Sequence, residues 1–159
     1  GYDPDHPMYP NLQKRFLDLY EENVCLNTKI FPEISNLIHA LEQRGITWGI
    51  VTNKVARFAR PLVRLLGVHE RSRCVVCGDD APNMKPAPDL LLLACRLINV
   101  EPTNCIYLGD DKRDIQAAKA ANMPVLAAGW GYLGDNEDPN DWHADAVIQS
   151  PMETLKFLK

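Results

Sequence analysis

No stretch of the 159 residues stays apolar long enough to cross a bilayer, and no leader-like segment opens the chain. Those two absences argue against a membrane partner. A basic block is missing as well: 17 Lys and Arg stand against 21 Asp and Glu, mixed along the chain, for a net charge of −4. Nucleic acid is therefore not an expected partner. Cysteine is scarce, with five residues at irregular spacing, which excludes a disulfide framework and sets the expectation of a reducing, cytoplasmic compartment. Cys74 and Cys77 form a single Cys-x-x-Cys with only His69 nearby. Lying in an apolar run and lacking a second pair, they read as buried structural cysteines, not zinc ligands. No Gly-x-Gly-x-x-Gly lies between a strand and a helix, so a dinucleotide-binding domain is disfavoured.

What is present is alternation. The length suits one domain with a real core. After a proline-rich lead-in, Gly1 to Pro10, that resists helix, apolar residues at helical spacing predict a helix over Leu12 to Val24. A second helix follows Pro32 and closes at Gly45. From Ile46 onward strand-like and helix-like runs alternate. Strands are predicted at Ile46–Val51, Arg73–Cys77, Cys105–Leu108, Val125–Ala128 and Ala146–Ile148. Helices are predicted through Phe58 to Leu66, Asp89 to Ile98, Asp114 to Asn122 and Pro151 to Lys159. Gly129 to Trp142 reads as a long loop too polar for the core. The pattern is that of an α/β fold, a Rossmann-like parallel sheet with helices on both faces.

Polar residues follow the strand ends, where such sheets bind ligands. After Leu108 and Gly109 come Asp110, Asp111 and Asp114, on the turn into a helix. Hard carboxylate oxygens from Asp110 and Asp114 suit magnesium, which takes one or two carboxylates and keeps several waters. Thr52, with Asn53 and the neighbouring backbone N–H groups, is placed to hold a phosphate oxygen, and Lys85 to neutralise phosphate charge. Each has a duller account: Thr52 as a helix cap, Lys85 as a loop lysine, the acids as partners of the helix dipole. Their order along the chain favours phosphoryl chemistry. A response-regulator receiver would place its acidic pair early and its lysine late, the reverse of this order.

The segments Ile50–Lys54, Lys85–Asp89 and Tyr107–Asp114 resemble the second, third and fourth motifs of the haloacid dehalogenase superfamily. The likeness runs from about Leu17 to the C-terminus, closest to the phosphoglycolate phosphatase group. Trp48–Lys54, Asp110–Asp114 and Asn136–Asp145 are similar to bacterial N-acetylmuramic acid 6-phosphate phosphatases. The resemblance implies a magnesium-dependent phosphoric monoester hydrolase acting on a small phosphorylated metabolite through an aspartyl-phosphate. In it Thr52 would bind the transferring group, Lys85 would steady that group and the nucleophile, Asp110 would ligate Mg2+ directly and Asp114 through water. Asp111 would be either a solvated acid at a helix start or a functional residue.

The family's first motif, Asp-x-Asp-x-Thr after a strand, is not in the sequence; Asp3-Pro4-Asp5 follows no apolar run and is rejected as the nucleophile. The resemblance thus implies a fragment: residues 1–24 as a remnant of a helical cap, and 25–159 as the C-terminal part of a core whose central first strand lies elsewhere. Such a fragment is expected to be inactive alone and open to self-association through unpaired strand edges. The alternative is a non-catalytic phosphate-binding module.

Overall fold

The computed structural model describes residues 3–131, 133, 134 and 138–158. In chain order these form α1 (Tyr9–Glu22), α2 (Ile34–Gln43), β1 (Ile50–Val51), α3 (Ala56–Leu65), β2 (Val75–Val76), α4 (Asp89–Ile98), β3 (Tyr107–Gly109), α5 (Lys112–Ala120), β4 (Val125–Ala128) and β5 (Ala146–Ile148). All strand pairs are parallel, in two separate sheets: β1–β2, and β3–β4–β5 with β4 in the middle. No described helix is long and apolar enough to cross a membrane.

The elements follow from local chemistry. α4 opens on Asp89 and puts Leu90, Leu91, Ala94 and Cys95 on one buried face. It stops where Asn99 adopts a left-handed conformation, φ 56°, which Asn tolerates better than most residues. α5 is capped by Asp111, whose carboxylate accepts the Arg113 N–H. β4 is buried along all four residues and forms the floor of the main core, with Ile115, Ala117 and Ala118 from α5 and Leu90 and Leu91 from α4. A smaller cluster, Ile38, Val63 and Val68, joins α2 and α3 to β1.

Four expectations needed correction. Pro10 does not delay the first helix; it lies in the first turn of α1, where its missing N–H has no intrahelical partner to lose. Ile46–Val51 is ladder-paired only at Ile50 and Val51, because β2 offers just two partners. The segment from Gly129 to Trp142 is not excluded from the core: Trp142 is 6% exposed and packs beneath α5 and β4 from a 3₁₀ turn, Pro139–Trp142. Four residues of that segment, 132 and 135–137, lie outside the described ones. The terminal helix is a 3₁₀ turn, Pro151–Lys156.

The sheet division sets up the site. Within a strand, successive residues turn their backbone groups to opposite neighbours. Ile50 N–H donates to the carbonyl of Cys74, just before β2, and Thr52 N–H to that of Val76 in β2, each at 2.9 Å, so the Val51 backbone faces away from β2. Tyr107 donates to Pro124 at 2.8 Å, so Leu108 faces away from β4. Between β1 and β3 runs a seam with no strand pairing among the described residues. Side chains cross it instead.

Candidate active site

Three backbone segments converge at the carboxyl ends of β1 and β3. The first is the turn after β1. The Thr52 hydroxyl oxygen accepts the Lys54 N–H at 3.1 Å, a local turn and not a cap for α3, whose N-cap is Val55. The Lys54 carbonyl accepts Gly78 N–H at 3.0 Å. Gly78 is needed for that approach, since a Cβ there would strike the Asn53 carbonyl oxygen.

The second segment carries Lys85. Asn53 holds it by the main chain: the Asn53 amide nitrogen donates to the Lys85 carbonyl at 2.8 Å, and the Asn53 amide oxygen accepts Lys85 N–H at 2.9 Å. Both ends of the Asn53 side chain are therefore engaged with the Lys85 backbone. The Lys85 ammonium reaches into the seam, 2.6 Å from Asp114 Oδ1, 3.0 Å from the Tyr107 hydroxyl and 3.3 Å from the Val51 carbonyl. The Lys85 and Asp114 side chains are only 10% and 8% exposed. A buried pair of this kind is costly to break from one side, because the survivor is left charged and unpaired.

The third segment is the turn from β3 into α5. Asp110 lies against Gly131, where a Cβ would collide with the aspartate side chain. Asp111 accepts Arg113 N–H at 2.8 Å and meets the Arg113 guanidinium at 2.9 and 2.6 Å. That guanidinium holds the Asp111 carboxyl below the usual aspartate value, against a smaller upward push from burial. Asp111 thus caps α5 while also lying on the cavity wall.

Thr52, Asn53, Lys54, Lys85, Asp110, Asp111, Arg113 and Asp114 line one open cavity of about 200 Å³. Every site residue expected from the sequence is on that wall. A larger apolar hollow, about 420 Å³, runs along α1 past Tyr9, Leu12, Phe16 and Leu17 and has no amine or carboxylate in its lining.

Two residues of the site escape a sequence reading. Tyr107 is one: its hydroxyl lies 3.2 Å from the Val51 carbonyl and 3.3 Å from Asp114 Oδ1. Burial, and then the Asp114 charge, push its phenol well above the ordinary value. A hydroxyl in the otherwise apolar run Cys105–Leu108 was the available signal. Lys54 is the other, a wall residue whose ammonium bonds the Tyr20 hydroxyl of α1 and lies 4.7 Å from the Tyr20 ring centre.

The donor set fits magnesium and not a closed protein cage. Asp110 and Asp114 supply two carboxylates at the cavity, and no group of three or more His, Cys, Asp or Glu among the described residues is arranged around a metal. Magnesium takes few protein ligands and completes its shell with water and substrate phosphate. The Cys74 and Cys77 thiols are both raised, chiefly by burial, as suits structural cysteines.

The comparisons agree with this geometry. Residues 3–128 match the haloacid dehalogenase-like hydrolase family. An N-acetylmuramic acid 6-phosphate phosphatase of Pseudomonas aeruginosa is 37% identical over 158 residues, spanning 99% of this chain and 70% of that protein. A phosphoglycolate phosphatase of Xylella fastidiosa is 44% identical over 136 residues, 86% of this chain and 59% of that protein. Among solved structures, a predicted phosphoglycolate phosphatase from Haemophilus somnus has a TM-score of 0.86 at 24% identity, over 94% of this chain and 66% of the other. CbbY from Rhodobacter sphaeroides, in complex with phosphate, has a TM-score of 0.78 at 23% identity, over 96% and 68%. At these identities the solved structures speak for the fold alone. With a matched family over most of its length and named phosphatases as its relatives, the chain belongs to the haloacid dehalogenase-like hydrolases.

Proposed function

We propose that the chain serves a magnesium-dependent phosphatase that hydrolyses a small phosphate monoester of the phosphoglycolate type through an aspartyl-phosphate. The observation that carries this reading is the placement of Lys85. Its ammonium stands in the seam between the Thr52 turn and Asp114, where it can meet both a phosphoryl oxygen and an incoming carboxylate. Thr52 already accepts Lys54 N–H, which leaves its hydroxyl hydrogen for a phosphoryl oxygen. Asn53 would add its backbone N–H while its side chain keeps Lys85 in place. Asp110 and Asp114 would hold magnesium, which offsets phosphate charge when bound.

The phosphoryl acceptor in this scheme is an aspartate on a segment outside these 159 residues that enters the seam between β1 and β3. Its carboxylate oxygen bonds to phosphorus as the ester P–O bond breaks, and the alcohol leaves with a proton from a general acid on the same segment, which takes one back from the attacking water in the next step. Water then attacks the same phosphorus, restoring the carboxylate and releasing inorganic phosphate. Residues 1–24 would belong to a cap and 25–159 to the core. In support, α1 meets the core chiefly by Asp18, Tyr20 and Glu21 on the short stretch Lys54–Phe58. N-acetylmuramic acid 6-phosphate is the second substrate reading, favoured by the Pseudomonas relatives.

The test is phosphate release by the protein expressed from its complete reading frame, with phosphoglycolate and N-acetylmuramic acid 6-phosphate each offered in magnesium or in EDTA. Release of phosphate from either ester, lost in EDTA and lost in Thr52→Val, is the expected result. Release that persists unchanged in EDTA, or no release from any small phosphate ester, would sink the proposal.

A further inference from the structure

Among the described residues, the cavity holds a cation that the phosphatase reading leaves without a task. Lys85 is neutralised by Asp114, and Arg113 faces Asp111 in a two-pronged contact. Just outside, Arg57 is paired with Asp18 and Glu21, and Arg60 with Asp80. Lys54 makes no ion pair among the described residues; its ammonium rests on the hydroxyl and ring of a tyrosine, both uncharged. It is half-buried and its position is well supported. Its N–H is bonded to Thr52 Oγ1 at 3.1 Å and its carbonyl to Gly78 N–H at 3.0 Å. Tyr20, which holds the side chain, is itself packed edge-on against Phe58 with ring centres 5.1 Å apart. An unpaired ammonium kept in place at a cavity wall by neutral groups is arranged for an anion that arrives with the ligand.

Building on the phosphatase reading, we infer that Lys54 is a specificity-determining residue: it binds a carboxylate on the substrate, at the end remote from the phosphate. Chemistry favours a carboxylate over a second phosphate. Lys54 offers a single compact charge, matched to one carboxylate, whereas the neighbouring guanidinium that could fork onto a second phosphate is committed to Asp111. The cavity of about 200 Å³ suits a phosphate with a short acidic tail. The substrates named for the relatives, phosphoglycolate and N-acetylmuramic acid 6-phosphate, differ in size yet share a phosphate ester and a carboxylic acid. Tyr20 is then a positioning residue, through which α1 reaches the site without touching the substrate.

Ethyl phosphate has the two-carbon skeleton of phosphoglycolate without the carboxylate, so the two ligands isolate the contact. Their dissociation constants would be measured calorimetrically on the protein expressed from its complete reading frame, in EDTA so that neither ester is turned over, with inorganic phosphate in magnesium as the reference ligand. Phosphoglycolate should bind about tenfold or more tighter than ethyl phosphate, the size of a charge-assisted hydrogen bond. Lys54→Met should bring that ratio to about one, Lys54→Arg should retain most of it, and Tyr20→Phe should reduce it in part. Equal binding of the two esters by the unmodified protein, or a preference that survives Lys54→Met, overturns the assignment while leaving the phosphatase reading intact. Failure of the complete protein to bind inorganic phosphate in magnesium overturns both.

Discussion

The two sheets of this molecule are built to different standards. β4 has a strand on each side, α5 and the Pro139–Trp142 turn pack on it, and its four residues are all buried. Among the described residues β1 has a strand on one side only, both its residues are half-buried, and the cluster beneath it is small. The acidic side of the site, Asp110 and Asp114, grows from the better-packed half; the Thr52–Lys54 turn grows from the looser one. Lys85 connects them, fixed by its backbone to Asn53 and by its ammonium to Asp114. Precision in such a site depends less on either half than on the connection between them.

Removing that connection should have the largest effect. Lys85→Met leaves the Asp114 carboxylate buried and unpaired, and urea denaturation should show a loss of about 3–5 kcal/mol, the usual cost of stripping one partner from a buried pair. A loss within experimental error would mean the halves are held together by something other than this contact. The contrast between the sheets is sharpened by a matched pair of truncations. Leu126→Ala in β4, at a residue 2% exposed, should cost about 2–5 kcal/mol, and Ile50→Ala in β1 roughly half as much. Equal losses by the same measurement would erase the distinction.

The smallest effect belongs to Asp111, which caps α5 from an exposed position. Asp111→Ala should cost at most about 1 kcal/mol at neutral pH, since solvent screens its pairing with Arg113. The sign with pH follows from the lowered carboxyl. Its contribution is present above the ordinary aspartate value of 3.8 and is lost as pH falls through the lower value of the folded protein. Melting curves of the wild type and Asp111→Ala should therefore begin to draw together as pH falls below 3.8 and meet only below the lower value of the folded protein. Divergence there instead would assign the cap a role independent of charge.

Much of the site was legible because it is written in short stretches. Asp110, Asp111 and Asp114 lie within five positions, directly after a strand, and strand ends in a parallel sheet share one edge whatever the packing beneath them. α4, β4 and β5 were legible for a related reason: their apolar patterns are unbroken, and their observed bounds equal the expected ones. Reading failed where an average hid an individual. The segment before His143 is polar on the whole, yet its Trp142 is core. Spacing was equally silent about Asn53, whose side chain bonds the Lys85 backbone 32 positions away.

By itself the sequence determined the parallel α/β pattern, the order of the polar groups along it and the family to which they point. Periodicity, turn residues and motif spacing are local properties, and they survive without knowledge of the fold. Only the tertiary structure decided which charges neutralise each other: Lys85 with Asp114, 29 positions apart, and Arg57 with Glu21, 36 apart, leaving Lys54 on a tyrosine. Pairing between charges falls steeply with distance, and distances across a seam between two sheets are set by packing that no short segment contains.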